Sequence, residues 1–172
     1  MIERVIAAIR PVTSSITVIA NSGEYARLGL PVVADTYVGI GPLEAIRTAM
    51  ANSPTPRAVL VGCDLPFVTS QLFSYLLSIE GSYQAIVPVG PDERLEPLCA
   101  IYSAQSLESV TALIESGERK VSRLFELIPT RFVAFDEVRR LRGSGLFFEN
   151  VNTVEDYRRA IRALSGEGAE GV

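Results

Sequence analysis

Ala58-Val59-Leu60-Val61-Gly62, followed at once by Cys63-Asp64-Leu65-Pro66, decides the fold. The first five residues form an unbroken apolar run of strand length, the pattern of a strand covered on both faces. The run stops at a glycine, then meets a carboxylate and a turn stiffened by proline. Such a strand belongs to a sheet flanked by helices. In that architecture ligands sit in the crevice beyond the carboxyl ends of the strands. Asp64 is therefore the leading site candidate from position alone. A carboxylate there suits Mg²⁺, a hard cation often shared between one or two carboxylates and substrate phosphates. The plainer alternative is a carboxylate that caps the next turn or helix.

The same pattern repeats on both sides of this stretch. Upstream, Ile2, Val5, Ile6 and Ile9 recur at helical spacing, and Pro11 ends that helix. Residues 16–20 (ITVIA) and 30–34 (LPVVA) read as short buried strands. Residues 24–28 between them read as a short helix closed by Gly29, and Asn21-Ser22-Gly23 is a turn signal. Gly39-Ile40-Gly41-Pro42 opens a helix through Met50, with Pro42 in the first turn where proline is tolerated. Downstream, Thr69 is placed to cap a helix to about residue 79. Residues 84–89 and 97–102 read as strands joined by a hairpin-like link. Residues 104–115 read as a helix stopped by Gly117, and Val121, Leu124, Phe125 and Ile128 mark another. Residues 131–135 read as a strand, and 147–151 as a short apolar stretch. Thr153 caps the last helix, with Asp156 at capping-box spacing. The pattern predicts an α/β fold: three layers, a mostly parallel Rossmann-like sheet, helices on both faces. Residues 1–164 form one domain and 165–172, rich in Gly and Glu, a flexible tail.

Composition narrows the function. The chain has 172 residues, 16 basic against 20 acidic side chains, and no His. A net charge of −4 argues against nucleic acid as a partner, because that binding rests on Lys and Arg neutralising phosphates. No apolar run reaches the ~18 residues of a membrane span, and the first ten residues lack a signal-peptide core, so the expected location is the cytoplasm. Without His, Ser-His-Asp and Cys-His catalysis are excluded, and so is a zinc site of ordinary composition. Cys63 and Cys99 are expected to be reduced, buried thiols.

Asn21, Asp35 and Asp64 each follow a predicted strand directly. Asn21 carries the donor and acceptor groups that read a base edge; an ordinary turn asparagine is the alternative. Asp35 is either a ligand carboxylate or a turn aspartate bonding its own backbone. Gly41 and Pro42 suit close approach of backbone to a ligand at a helix N-terminus. Arg119 and Lys120, the latter the single lysine, form a cationic turn that is either solvated or contacts an anion. Asn150 and Asn152 place two amides on one face of an extended segment.

Taken in order, these stretches resemble a family. They are Asn21; Leu28-Gly29-Leu30-Pro31-Val32-Val33-Ala34-Asp35; Gly41-Pro42-Leu43; Gly62-Cys63-Asp64-Leu65-Pro66-Phe67; Leu95-Glu96-Pro97-Leu98-Cys99-Ala100-Ile101-Tyr102; Gly117-Glu118-Arg119-Lys120-Val121; and Asn150-Val151-Asn152-Thr153 with Asp156. Together they resemble the molybdenum cofactor guanylyltransferases, the MobA-like nucleotidyltransferases, over residues 1–163. The resemblance implies a nucleotide-diphospho-sugar transferase-like fold. It implies transfer of GMP from GTP to molybdopterin with release of pyrophosphate. Asn21, Asp35, Gly41, Pro42 and Asp64 would contact GTP, and Asp64 would hold Mg²⁺ and position the α-phosphate. Arg119, Lys120, Asn150 and Asn152 would face the pterin substrate.

One feature of the family is missing. Its members open with a strand and a Gly-rich loop, ending in a lysine, that cradle the nucleotide phosphates. This sequence starts where the family's first helix starts, at Met1-Ile2-Glu3-Arg4-Val5. The expectation is an N-terminally incomplete domain whose first strand is absent, with weak GTP binding and turnover. The exposed sheet edge would favour self-association or contact with proteins of the molybdenum cofactor pathway. The alternative readings are a CTP-dependent or other nucleotidyltransferase, and a non-catalytic binding module of the same fold.

Overall fold

A helix and a strand alternate along most of the chain, as the apolar pattern requires. The computed structural model describes residues 1–165. Helix α1 (Ile2–Ile9) turns its Val5 and Ile9 inward and runs into a 3-10 turn that contains Pro11. Strands β1 (Val18–Ile19) and β2 (Val32–Val33) are two residues each, shorter than the apolar runs that announce them. The 3-10 helix Gly23–Leu28 between them is capped by Ser22 and closed by Gly29, whose φ of 64° is the left-handed geometry that glycine adopts without strain. Helix α2 (Pro42–Asn52) starts on Pro42. Strand β3 (Arg57–Val61) and helix α3 (Ser70–Ser78) follow, with the Thr69 hydroxyl accepting the Leu72 amide at 3.4 Å.

Strands β4 (Ala85–Pro88) and β5 (Cys99–Ser103) form the expected hairpin-like pair and are buried throughout. Helices α4 (Leu107–Glu115) and α5 (Ser122–Leu127) precede strand β6 (Thr130–Val133). The run read as a strand to residue 135 ends two residues early. Phe135 instead opens the short helix α6 (Phe135–Val138), whose Glu137 carboxylate accepts the Ala134 amide at 2.9 Å. Helix α7 (Val154–Ser165) begins with the capping box foreseen: the Asp156 carboxylate accepts the Thr153 amide and the Thr153 hydroxyl accepts the Asp156 amide, both at 3.0 Å. The stretch read as a flexible tail lies, beyond Ser165, outside the described residues.

The sheet is divided. β1 and β2 pair in parallel, and a separate four-stranded sheet has the order β3-β5-β4-β6. Within it β4 and β6 are parallel, while β5 runs antiparallel to both β3 and β4. Three of the four strands thus share a direction and β5 opposes them. One apolar layer joins Leu43, Ile46 and Met50 of α2 to Val110 and Ile114 of α4 over Leu60, Ala100 and Tyr102. The opposite layer joins Ile9, Leu72, Phe73 and Leu76 to Ile86, Ile101 and Val133. The result is the three-layer α/β arrangement expected, with the carboxyl ends of β1, β2 and β3 at one edge. Among the described residues, no helix is long and apolar enough to cross a membrane.

Candidate active site

Asn21 and Asp35 stand next to each other because β1 and β2 are parallel and both end there. The Asp35 amide donates to the Asn21 side-chain oxygen at 2.9 Å, and the Asn21 side-chain nitrogen donates to Asp35 Oδ2 at 3.5 Å. The other Asp35 oxygen accepts from the Thr48 hydroxyl at 2.9 Å. Asn21 is exposed and Asp35 half-buried, so the pair presents a bound carboxylate and an amide at a rim.

Behind this pair lies a group that sequence reasoning missed. Glu44, in the first turn of α2, is only 1% exposed. Its Oε1 accepts from the Thr36 and Tyr37 amides at 2.8 and 3.1 Å, and from Arg47 at 2.7 Å. Arg47 also reaches the Thr36 hydroxyl at 2.6 Å and lies over the Tyr37 ring at 5.4 Å. Burial alone would push the Glu44 carboxyl up, but the bonds from Arg47 and from the two amides outweigh it and hold it below the ordinary value. A glutamate in the first turn of the helix, spaced three from an arginine, is the available signal. The loop after Asp35 is thus tied to α2. Gly39 and Gly41, with φ of 81° and 82°, complete it, and a side chain at either would meet open space. Backbone conformation, not close packing, is what calls for glycine at both.

Asp64 sits at the carboxyl end of β3, half-buried. A Cβ on Gly62 would come within 2.4 Å of Asp64 Oδ1, so a side chain there would displace the carboxylate. The Asp64 backbone carbonyl accepts the Val151 amide at 2.8 Å. Val151 is buried against Phe67 in a small cluster that includes Tyr157, which stacks on Phe67 at 6.5 Å. That bond and that cluster strap the segment 150–152 across the end of β3. With Val151 turned inward, Asn150 and Asn152 are both exposed, as their alternation in an extended segment predicts.

Glu96 is the second residue that sequence reasoning did not single out for a role. Its carboxyl is pushed up to about 7, first by burial and then by the charges of Asp92 and Asp64. Asp35, Gly62 and Cys63 line one cavity of ≈ 250 Å³, so Asp35 and the two residues that precede Asp64 border the same space.

Two expectations are corrected. Cys63 is exposed, not buried, because the chain leaves β3 one residue earlier; Cys99 is buried as expected. Arg119 and Lys120 lie in the turn between α4 and α5. Both their amides donate to the Glu118 carboxylate, at 2.7 and 2.9 Å. Among the described residues, no hydrogen bond or ion pair joins Arg119 or Lys120 to Asp35, Asp64 or the 150–152 segment.

Carboxylates and amides gathered where parallel strands end, over a sheet enclosed by helices, define an α/β domain with a nucleotide-type crevice. The signature of the MobA-like NTP transferase domain matches residues 1–132, and the chain belongs to that family of nucleotidyltransferases. A probable molybdenum cofactor guanylyltransferase of Clostridium perfringens is 31% identical over 163 residues, covering 94% of this chain and 82% of the relative. A molybdenum cofactor guanylyltransferase of a Shewanella species is 32% identical over 169 residues, covering 96% and 83%. Among solved structures, molybdopterin-guanine dinucleotide biosynthesis protein A from Archaeoglobus fulgidus superposes with a TM-score of 0.78 at 22% identity, covering 96% and 85%. A 2-C-methyl-D-erythritol 4-phosphate cytidylyltransferase from Thermus thermophilus shares the fold, with a TM-score of 0.68 at 16% identity over 95% of this chain and 88% of that one.

Proposed function

We propose that this chain transfers GMP from GTP to the terminal phosphate of molybdopterin in the cytoplasm. A phosphate oxygen of the pterin attacks the α-phosphorus, the bond to the β-phosphate oxygen breaks, and pyrophosphate leaves. The observation that carries the reading is the Val151–Asp64 backbone bond, which holds the segment bearing Asn150 and Asn152 against the turn that bears Asp64. Family membership and the named relatives support the same reading.

Each group then has a task. Asn21 and Asp35, fixed against Thr48 and the Glu44-anchored loop, bind the guanosine portion, and Gly41 and Pro42 shape the loop beside it. Asn150 and Asn152 orient the pterin side. Arg119 and Lys120 are assigned by resemblance to the same pterin substrate. The donor set at the end of β3 fits Mg²⁺ held jointly with substrate. It offers one half-buried carboxylate, Asp64, with Glu96 close enough to feel its charge. When bound, such a cation neutralises charge on the phosphate oxygens. No group on the protein needs to form a covalent bond, because positioning and charge neutralisation suffice for this transfer. A chain without His fits that demand.

The test is conversion of GTP and molybdopterin to dinucleotide and pyrophosphate. Asp64→Asn is expected to lower kcat at least 100-fold, and Asp35→Ala to raise KM for GTP with a smaller effect on kcat. Turnover with CTP but not GTP would overturn the base assignment, and full activity of Asp64→Asn the site.

A further inference from the structure

A second cavity, of ≈ 360 Å³, lies where α1, the start of α3 and the turn after α6 meet. Asn21, Asp35 and Asp64 do not line it. Two guanidinium groups do, those of Arg4 and Arg142, and no carboxylate does. Neither arginine has an ion-pair partner among the described residues. Glu3, the acid next to Arg4 in the chain, is engaged by Arg27 at 3.4 Å. The Arg4 side chain is held in place: its Nε donates to the Pro66 carbonyl at 3.3 Å, and its guanidinium lies over the Phe67 ring at 5.6 Å. That bond uses one of the five N–H donors of a guanidinium and leaves four. The turn that bears Arg142 is held as well. Gly143 takes a φ of 84°, and a Cβ on it would lie 3.7 Å from Phe147 and 3.9 Å from Thr69, so the turn abuts the start of α3.

Two like charges beside one cavity repel each other, and an anion between them turns that repulsion into attraction on both sides. The neutral lining suits the same ligand. Ser70 and Gln71 bring a hydroxyl and a side-chain amide, and among the described residues neither group has a hydrogen-bond partner. Guanidinium forks match the oxygens of a phosphate in spacing and direction. Pro66, Phe67 and Val68 add an apolar wall on which an organic remainder can rest.

We propose that this cavity binds a phosphate group between Arg4 and Arg142, as a site separate from the crevice around Asp64. The two guanidiniums supply charge, and Ser70 and Gln71 supply neutral donors. The wall at Phe67 is shared with the strap, because the same ring stacks on Tyr157 and packs against Val151. A ligand seated there therefore touches the structure that holds Asn150 and Asn152. The inference does not depend on the nucleotide chemistry proposed above.

The probes are inorganic phosphate and phenyl phosphate, titrated into the full chain at constant ionic strength and followed by amide chemical shifts. The Ser70, Gln71 and Gly143 amides are expected to shift saturably with a common dissociation constant. Arg142→Gln, an exposed change that leaves the core untouched, should weaken binding at least fivefold. Arg4→Gln should do the same, although it also removes the Pro66 bond, so the Arg142 variant is the deciding one. Arg119→Gln should leave the affinity within twofold. Tighter binding of phenyl phosphate than of phosphate assigns the site to a phosphate monoester, and equal or weaker binding assigns it to free phosphate; either supports the site. The proposal is overturned if the three amides do not shift, if chloride shifts them alike, or if Arg142→Gln binds as well as the parent chain. It is also overturned if Arg119→Gln abolishes the response, which would seat the anion on the turn between α4 and α5.

Discussion

Glu44 is the residue on which the Asp35 side of the crevice depends. It is buried, carries a charge, and is fully satisfied by Arg47, Thr48 and two loop amides. Removing one member of such a pair leaves the other buried and unpaired, which costs about 3–5 kcal/mol. Glu44→Ala is expected to lose that much in urea denaturation, and Glu44→Gln less. Glu96 answers to pH instead. Its folded value, about 7, lies above the ordinary 4.5, so the native state holds a proton that the unfolded chain releases. Its contribution is therefore most favourable below pH 4.5 and fades as pH rises through 7. Glu96→Gln should raise the melting temperature at pH 8 and leave it nearly unchanged at pH 4. The cysteines separate by exposure. A maleimide should label the folded chain once, at Cys63, and slowly at neutral pH, because partial desolvation of the exposed thiol by its neighbours and the Asp64 charge push it up. Cys99 should react only after unfolding.

The short elements do the positioning. Gly62 ends β3 and leaves room for the Asp64 carboxylate, which is the flexible end of a side chain and moves when crowded. Gly62→Ala is thus expected to lower turnover more than tenfold while changing stability by less than about 1 kcal/mol, a split seen by pairing kinetics with thermal melts. The Thr69 cap of α3 behaves oppositely: Thr69→Ala should cost about 1 kcal/mol of stability and leave turnover alone. Much at this scale was legible in the sequence. Apolar runs, Pro42, Thr69, Gly29 and the Thr153–Asp156 box carry their signals within four or five residues, and the elements they announce are present. β1 and β2 proved shorter than their apolar runs, since ladder length depends on what lies across from a strand. Phe135 was misread because an aromatic residue ending a β-rich run looks like strand until the Glu137 cap is seen.

For the molecule as a whole, strand ends alone located Asn21, Asp35 and Asp64. What brings Asn150 and Asn152 to them is a pairing across most of the chain, Val151 to Asp64, with no local sequence signature. Glu44, Arg47 and Glu96 escaped notice for the same reason, since their meaning lies in which backbone folds over them. The division of the sheet into two parts was likewise invisible to periodicity, which reports burial but not pairing. Packing between the two layers should be correspondingly uneven. Phe73, fully buried beneath β4 and β5, should cost about 3–5 kcal/mol on truncation to Ala, measured by denaturant melts.

The strap at Val151 also has a meaning in time. A ribosome adds roughly 5–20 residues per second, and domains fold as they emerge. Asp64 and its strand leave the tunnel several seconds before Val151 can close over them. A nascent chain of this protein therefore passes through an interval in which β3 is made but its crevice is unfinished.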